Sequence, residues 1–188
     1  MPVTSKFVAL RNYIPTGLPK ETDFEIRKKE ISLDDNNNIL VLNLWISVDP
    51  YMRARMTERK NYKPPFNIGE EMEGYALGIV KESKDKNFKE GDVVFSNFGM
   101  RDYFVCKSND LKKIEPINLP MQTYLGPLGM TGHTAYTGLF KHGDLKPGQT
   151  ILVSSAGGSV GSTVCQICLL YTSPSPRDRT RSRMPSSA

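Results

Sequence analysis

The residues best suited to chemistry in this 188-residue chain stand near its end, in Ala156-Gly157-Gly158-Ser159-Val160-Gly161. An apolar run, Thr150 to Ser155, precedes them, and a helical stretch, Ser162 to Leu170, follows. In a strand–turn–helix of this kind Gly158 lets the backbone approach a pyrophosphate, and Gly161 lets helix and strand pack closely. The helix N-terminus then faces the anion. Ala156 takes the first glycine position of the usual dinucleotide pattern, so the pattern by itself also describes a tight turn without a ligand. The flanking strand and helix favour the dinucleotide site, with Ala156, Gly157, Gly158, Val160 and Gly161 as cofactor-binding residues.

The thiols and imidazoles do not gather into a metal site. There are three cysteines, Cys106, Cys165 and Cys168, and two histidines, His133 and His142, both on one helical stretch. Four-coordinate zinc cannot be built from that set, and surface or packing roles suit the histidines better. Cys165-Gln166-Ile167-Cys168 has the C-x-x-C form, but it lies inside the helix after the glycine turn, where small packing residues are wanted. An odd number of thiols, with no charged head and long apolar core at Met1 to Arg11, argues against a secreted disulfide framework. The expected compartment is the cytoplasm. Arg53 and Arg55 oppose the dipole of a short helix, so pairing with the Glu70-Glu71-Glu73 run explains them better than substrate binding.

The elements that must position these groups fall into two grammars. Short strands are expected at Lys6–Arg11, Phe24–Arg27, Ile39–Val48, Gly74–Lys81, Gly91–Phe95 and Tyr103–Cys106, separated by Gly, Asn, Asp and Pro. That spacing suggests a small β-barrel or partly open sandwich. Asp49-Pro50 opens a helix, with Asp as N-cap and Pro at the first helical position. A second helix is expected over Thr131 to His142, stopped by Gly143. After Lys146-Pro147-Gly148 the grammar becomes strand, glycine turn, helix, the first unit of a Rossmann-type sheet. The fold class is therefore α+β passing to α/β.

Composition is that of a soluble globular chain, 38% hydrophobic and 24% charged, with no apolar run long enough for a membrane span. A formal charge of +5 is compatible with nucleic-acid binding, but its location argues otherwise. From Tyr171 onward Arg177, Arg179, Arg181 and Arg183 face one acid, Asp178, a net +3 that leaves only +2 for everything before it. Residues 171–188 are Ser, Pro, Thr and Arg, begin within a structural element, and read as a non-native, disordered tail. An Arg-rich RNA-binding segment is the alternative for that tail.

Three segments resemble a known family: Ser47-Val48-Asp49-Pro50-Tyr51-Met52-Arg53, Leu125-Gly126-Pro127-Leu128-Gly129-Met130-Thr131-Gly132-His133-Thr134-Ala135-Tyr136, and Val153 to Gly161. Together they are similar to the zinc-independent alkenal double-bond reductases of the medium-chain dehydrogenase/reductase superfamily, over about residues 6 to 168. The resemblance implies a GroES-like β-barrel domain over 1–125, then a bridging helix and a truncated Rossmann start over 126–170. It implies an active site in the cleft between two domains and NADPH as cofactor, although nothing in these residues distinguishes NADPH from NADH. The implied substrate is an α,β-unsaturated aldehyde or ketone reduced at its C=C bond. Pro50 and Tyr51 would line the site beside the nicotinamide, and the Tyr51 phenol could donate a hydrogen bond to a carbonyl oxygen gaining charge. Met130 and Thr134 match positions at the nicotinamide end, though helix packing and a backbone hydrogen bond describe them equally well. The parent is expected as a cytoplasmic enzyme, commonly a homodimer in this family. Zinc-dependent relatives carry Gly-His-Glu where this chain has Gly69-Glu70-Glu71, so no metal is expected. A zinc-free quinone reductase shares the glycine turn but not Asp-Pro-Tyr-Met-Arg, and a non-catalytic β-barrel interaction module also stays open.

Overall fold

Eight-residue alternation builds the first strand. In the computed structural model, which describes residues 2–36, 38–59, 61–115 and 117–171, β1 (Val3–Leu10) buries Ser5, Phe7 and Ala9 on one face, exposes Thr4 and Lys6 on the other, and at its end packs Val8 and Leu10 on an apolar cluster. It pairs antiparallel with β2 (Phe24–Ile31), Val3 opposite Ile31 and Leu10 opposite Phe24. A second, five-stranded antiparallel sheet runs in the order β6-β3-β4-β5-β7, formed by β3 (Ile39–Ile46), β4 (Ala76–Ser83), β5 (Val93–Ser96), β6 (Tyr103–Cys106) and β7 (Lys112–Lys113). The other side of β1 is stitched to that sheet's surroundings. The amide of Val8 donates to Met100 O, Met72 N to Val8 O, and Asp102 N to Lys6 O, at 2.8, 3.1 and 3.0 Å. These bonds satisfy an edge that would otherwise present free backbone groups.

Two apolar clusters fill this part of the molecule. Ile39, Val41, Val80, Val94, Phe104 and Cys106 form one, inside the five-stranded sheet. Leu10, Ile14, Met52, Met56, Phe66 and Met72 form the other, beneath α1 (Tyr51–Arg55). Cys106 is 1% exposed. Burial, then the nearby Asp110 charge, pushes its thiol from 9.0 up to about 12. The folded thiol therefore keeps its proton where an unfolded one loses it. Its contribution to stability is complete below about pH 9 and disappears as pH rises toward 12. Alkylation at pH 8 is expected to spare Cys106 and label partly exposed Cys165. Labelling of Cys106 in the folded protein at the rate of Cys165 would contradict this.

The chain divides into two compact units, Met1–Leu125 and Gly126–Ala188. In the second unit α2 (Met130–Tyr136) continues as a π-helical stretch, Thr137–His142, in which Gly143 N donates to Gly138 O at 2.8 Å. The helix expected to stop at Gly143 does stop there, but its last turns are wider than α. α2 packs on α3 (Ser159–Tyr171).

Two expectations need correction. Thr150 to Ser155 does not form a strand: it is irregular backbone and turn, and Leu152 is 97% exposed. A buried parallel strand draws its hydrogen bonds from neighbours, and no other strand occurs among the described residues of this unit. The helix expected from Ser162 starts three residues earlier, at Ser159, and at 13 residues it makes more than three turns. Residues 172–188, expected as a tail, lie outside the described residues.

Candidate active site

Asp49-Pro50 places Tyr51 at the start of α1, though not by the expected cap. Pro50 is already helical (φ −55°, ψ −32°), and no side chain caps the first turn. The Asp49 carboxylate instead accepts from the Ser47 hydroxyl at 3.0 Å through Oδ1, while its Oδ2 is buried without a partner. With proline supplying helical φ itself, the aspartate is released from capping. α1 then turns Met52 and Arg55 inward and leaves Tyr51 at the edge of the methionine-rich cluster.

The Tyr51 ring meets Tyr75 edge-on at 6.1 Å, and Tyr75 stacks on Phe95 at 5.4 Å. The main chain secures the first contact: Ser47 N donates to Tyr75 O at 2.8 Å, tying the segment before α1 to the residue just before β4. The phenol oxygen of Tyr51 is shut from solvent and has no hydrogen-bond partner. Burial, then the Asp49 charge, raises its pKa from 10.0 to about 12. Tyr51 is thus a neutral hydroxyl donor at any physiological pH, with its proton uncommitted. A buried donor left this way is costly unless a ligand uses it. Above the aromatic pair lies Lys63, its ammonium 4.8 Å from the Tyr51 ring centre and 5.4 Å from that of Tyr75.

Pro50 faces another space. It lines a cavity of about 410 Å³ on the flank of α1, walled by Val8, Met52, Met56, Met72 and Met100, and Tyr51 is not among its walls. Of the two arginines on α1, only Arg55 pairs with the acidic run, through Glu73 at 3.0 Å. Arg53 instead donates to Gly17 O at 2.9 Å, which corrects the expectation that both pair. Glu71 is taken by Lys29 and by buried Arg101.

In the second unit Met130 opens α2 and is exposed, and the Thr134 hydroxyl donates to Met130 O at 2.7 Å, one turn back. Ala156, Gly157, Gly158 and Val160 lie exposed at the N-terminus of α3, with Gly161 buried. Gly161 is there because the turn folds back on the helix: a Cβ at that position would stand 2.3 Å from Ser155 O. The close approach that requires glycine is therefore between the helix and its own turn. At Gly157 a Cβ would meet nothing within 4 Å, and at Gly158 only Ser155 O at 3.2 Å, so the surface over the turn is open. The first amides of α3 have no intrahelical acceptors, and with the helix dipole they fit an anionic diphosphate. Both histidines are exposed. Among the described residues no group of three or more His, Cys, Asp or Glu side chains could hold a metal ion. No described helix is long and apolar enough to cross a membrane.

Tyr75 and Lys63 are the members of the aromatic site that sequence reading does not reveal. Each lies more than ten residues from Tyr51, and only the sheet and the loop before it bring them together. Neither belongs to a motif.

Residues 6–114 match the family described as the N-terminal domain of oxidoreductase. The chain belongs to that family. Its fold is that of the medium-chain oxidoreductases, a sheet-rich GroES-like domain followed by a Rossmann start. It is 40% identical over 169 residues to a 2-alkenal reductase (NADP(+)-dependent) of Nicotiana tabacum, a match covering 87% of this chain and 49% of the relative. Rat (Rattus norvegicus) prostaglandin reductase 1 is 38% identical over 157 residues, covering 82% of this chain and 46% of the relative. The crystal structure of CurA from Vibrio vulnificus in complex with NADPH superposes with a TM-score of 0.79 at 33% identity, covering 88% of this chain and 49% of that one. The chain spans about half the length of the curated relatives it matches.

Proposed function

We propose that this chain carries the substrate-binding domain and the opening of the nucleotide-binding domain of an NADPH-dependent reductase acting on the C=C bond of α,β-unsaturated aldehydes and ketones. The observation that carries this reading is the buried Tyr51 phenol, neutral and without a partner, set in an aromatic corner. A carbonyl oxygen that gains negative charge during reduction is the natural acceptor for such a donor, and donors aimed at developing charge contribute most in a water-poor site. The face of the Tyr51 ring suits a planar conjugated acceptor, with Tyr75 as an edge-on wall beside it. NADPH, held through its diphosphate by the Ala156–Gly161 turn and the α3 amides, would supply the hydride. We assign Met130, Thr134 and Tyr51 to its nicotinamide end, with the Tyr51 phenol toward the substrate carbonyl; Pro50 keeps only the role of starting α1, because it lines a separate cavity. Support comes from the alkenal and prostaglandin reductases among the relatives. A cytoplasmic setting suits three cysteines that form no disulfide.

The test is NADPH consumption with a medium-chain 2-alkenal, using this chain extended by the C-terminal half of the tobacco relative. Turnover is expected, and Tyr51→Phe should lower kcat about 100-fold with KM little changed, the loss typical of one oxyanion donor. The wild-type rate should show no phenol titration below about pH 10, because the raised pKa keeps the donor protonated. Turnover indifferent to Tyr51→Phe would reduce the tyrosine to a wall of the pocket. No turnover of alkenal, enone or quinone by the extended protein would defeat the enzymatic reading.

A further inference from the structure

We infer that Lys63 is a substrate-selecting residue: a displaceable cationic cap on the Tyr51–Tyr75 pair that favours enones bearing a distal carboxylate over neutral ones. The inference rests on the reading of Tyr51 as the carbonyl-binding donor and names the substrate class of that same site.

Four observations combine. The Lys63 ammonium lies 4.8 Å from the Tyr51 ring centre and 5.4 Å from that of Tyr75, so an acceptor stacking on the Tyr51 face that Lys63 covers has to displace it. The Tyr51 hydroxyl has no exposed surface, so a substrate must move a side chain to reach it. Lys63 is half-buried and makes no ion pair among the described residues. Glu73 is engaged by Arg55, and Glu71 by Lys29 and Arg101. Finally, the chain just beyond Lys63 is fixed. Pro64 O accepts from Arg55 Nε at 2.8 Å, Phe66 N donates to Arg55 O at 2.8 Å, and the buried Phe66 ring lies 4.1 Å from the Arg55 guanidinium. Pro64 and Pro65 stiffen it further. The lysine therefore swings on a held base, and its flexible stem can deliver the ammonium to the rim when a substrate enters.

The energetics set the direction. A cation over an aromatic face is attracted by the ring quadrupole, and every entering substrate must displace it. A neutral alkenal returns nothing to the displaced ammonium. A carboxylate at the far end of the chain offers it a partner in a half-shielded place, where a charge-assisted contact is stronger than at an open surface. The cap thus penalises neutral acceptors and spares anionic ones.

The experiment follows this chain by NMR, with lysine ε-methylene and tyrosine ring signals resolved, during titration with two matched medium-chain enones. One ends in a methyl group and the other in a carboxylate. The Lys63 ε-methylene protons should resonate upfield in the free protein through ring currents, and lose part of that shift in Tyr75→Leu. Both enones should abolish the shift on binding, with the carboxylate form binding about 5- to 10-fold more tightly. Lys63→Met should bind the neutral enone about 2- to 5-fold more tightly than wild type and the carboxylate form no better than the neutral one. The wild-type preference should collapse at about 1 M salt, where the screening length is about 3 Å. A preference unchanged in Lys63→Met, or a Lys63 shift unmoved by bound enone, overturns the cap while leaving the enone site intact. Binding of neither enone overturns the enone reading of the site, and the cap with it.

Discussion

Gly132→Ala should dismantle the start of α2, at a cost of at least about 3 kcal/mol to the second unit, near the top of the usual range for overpacking. A Cβ at Gly132 would stand 1.7 Å from the Pro127 carbonyl oxygen and 2.5 Å from its carbon. Both are backbone atoms, so no side-chain rotation can relieve the clash. The Gly126–Gly129 turn would have to open, and with it would go the bonds that both Gly132 N (3.3 Å) and the Thr131 hydroxyl (2.9 Å) donate to Gly126 O. Gly138→Ala is the control, since a Cβ there meets nothing within 4 Å and Gly138 does not have a positive φ. That substitution should stabilise the helix, by about 0.5–1 kcal/mol. Amide exchange across Met130–Tyr136 measures both: protection should vanish in Gly132→Ala and rise in Gly138→Ala. Unchanged protection in Gly132→Ala would mean that Pro127 and α2 do not approach as described. Met130 and Thr134 ride on this helix, so the same substitution should also remove the nicotinamide contacts assigned to them.

The contrast between those two glycines marks where sequence reading is strong and where it fails. Six of the seven strands were legible because alternation and turn residues are local: Tyr103–Cys106 runs between the bounds its residues suggest, and β1, β2, β3, β4 and β5 lie within a few residues of theirs, whereas the two-residue β7 is too short to show alternation. The glycine turn was legible for the same reason, since Gly161 is required by a contact six residues away. Thr150–Ser155 failed because a parallel strand is a property of its neighbours. Asp49 failed because Pro50 made its usual capping role unnecessary and left the carboxylate to Ser47. At the site, Tyr51 stood out through its motif, but what makes it chemically distinctive does not. Its isolation from hydrogen-bond partners, the ring of Tyr75 and the ammonium of Lys63 all depend on how β4 and the loop before it return to α1. No spacing along the chain encodes that return.

Arg55→Ala should cost the first unit about 3 kcal/mol or more, the range for removing one member of a buried charged network. The Arg55 side chain is 6% exposed, whereas Glu73 is 50% exposed, so the two halves of their 3.0 Å ion pair are unequal. Glu73→Gln removes a charge largely in water and should cost less than about 1 kcal/mol. Most of the contribution of Arg55 lies elsewhere, in the bond from Nε to Pro64 O and in the guanidinium face on Phe66. Nη1, buried without a partner, works against it. Arg55→Met restores stem packing and removes that orphaned donor, at the expense of leaving Pro64 O unpaired. It should cost about 1–2 kcal/mol. Arg55→Lys should fare no better, because one ammonium cannot serve Pro64 and Glu73 and also lie flat on Phe66. Urea unfolding followed through Trp45, the single tryptophan, should rank the variants Glu73→Gln, Arg55→Met, Arg55→Ala in order of increasing loss. Equal losses in Glu73→Gln and Arg55→Ala would show that the ion pair, and not the anchoring of the loop, is what Arg55 supplies. The anchoring has a second consequence that stability alone does not report. With Pro64 released from the Arg55 side chain, and Phe66 held only through its amide, the segment that carries Lys63 loosens, so Arg55→Met should weaken the preference for carboxylate-bearing enones while the protein remains folded.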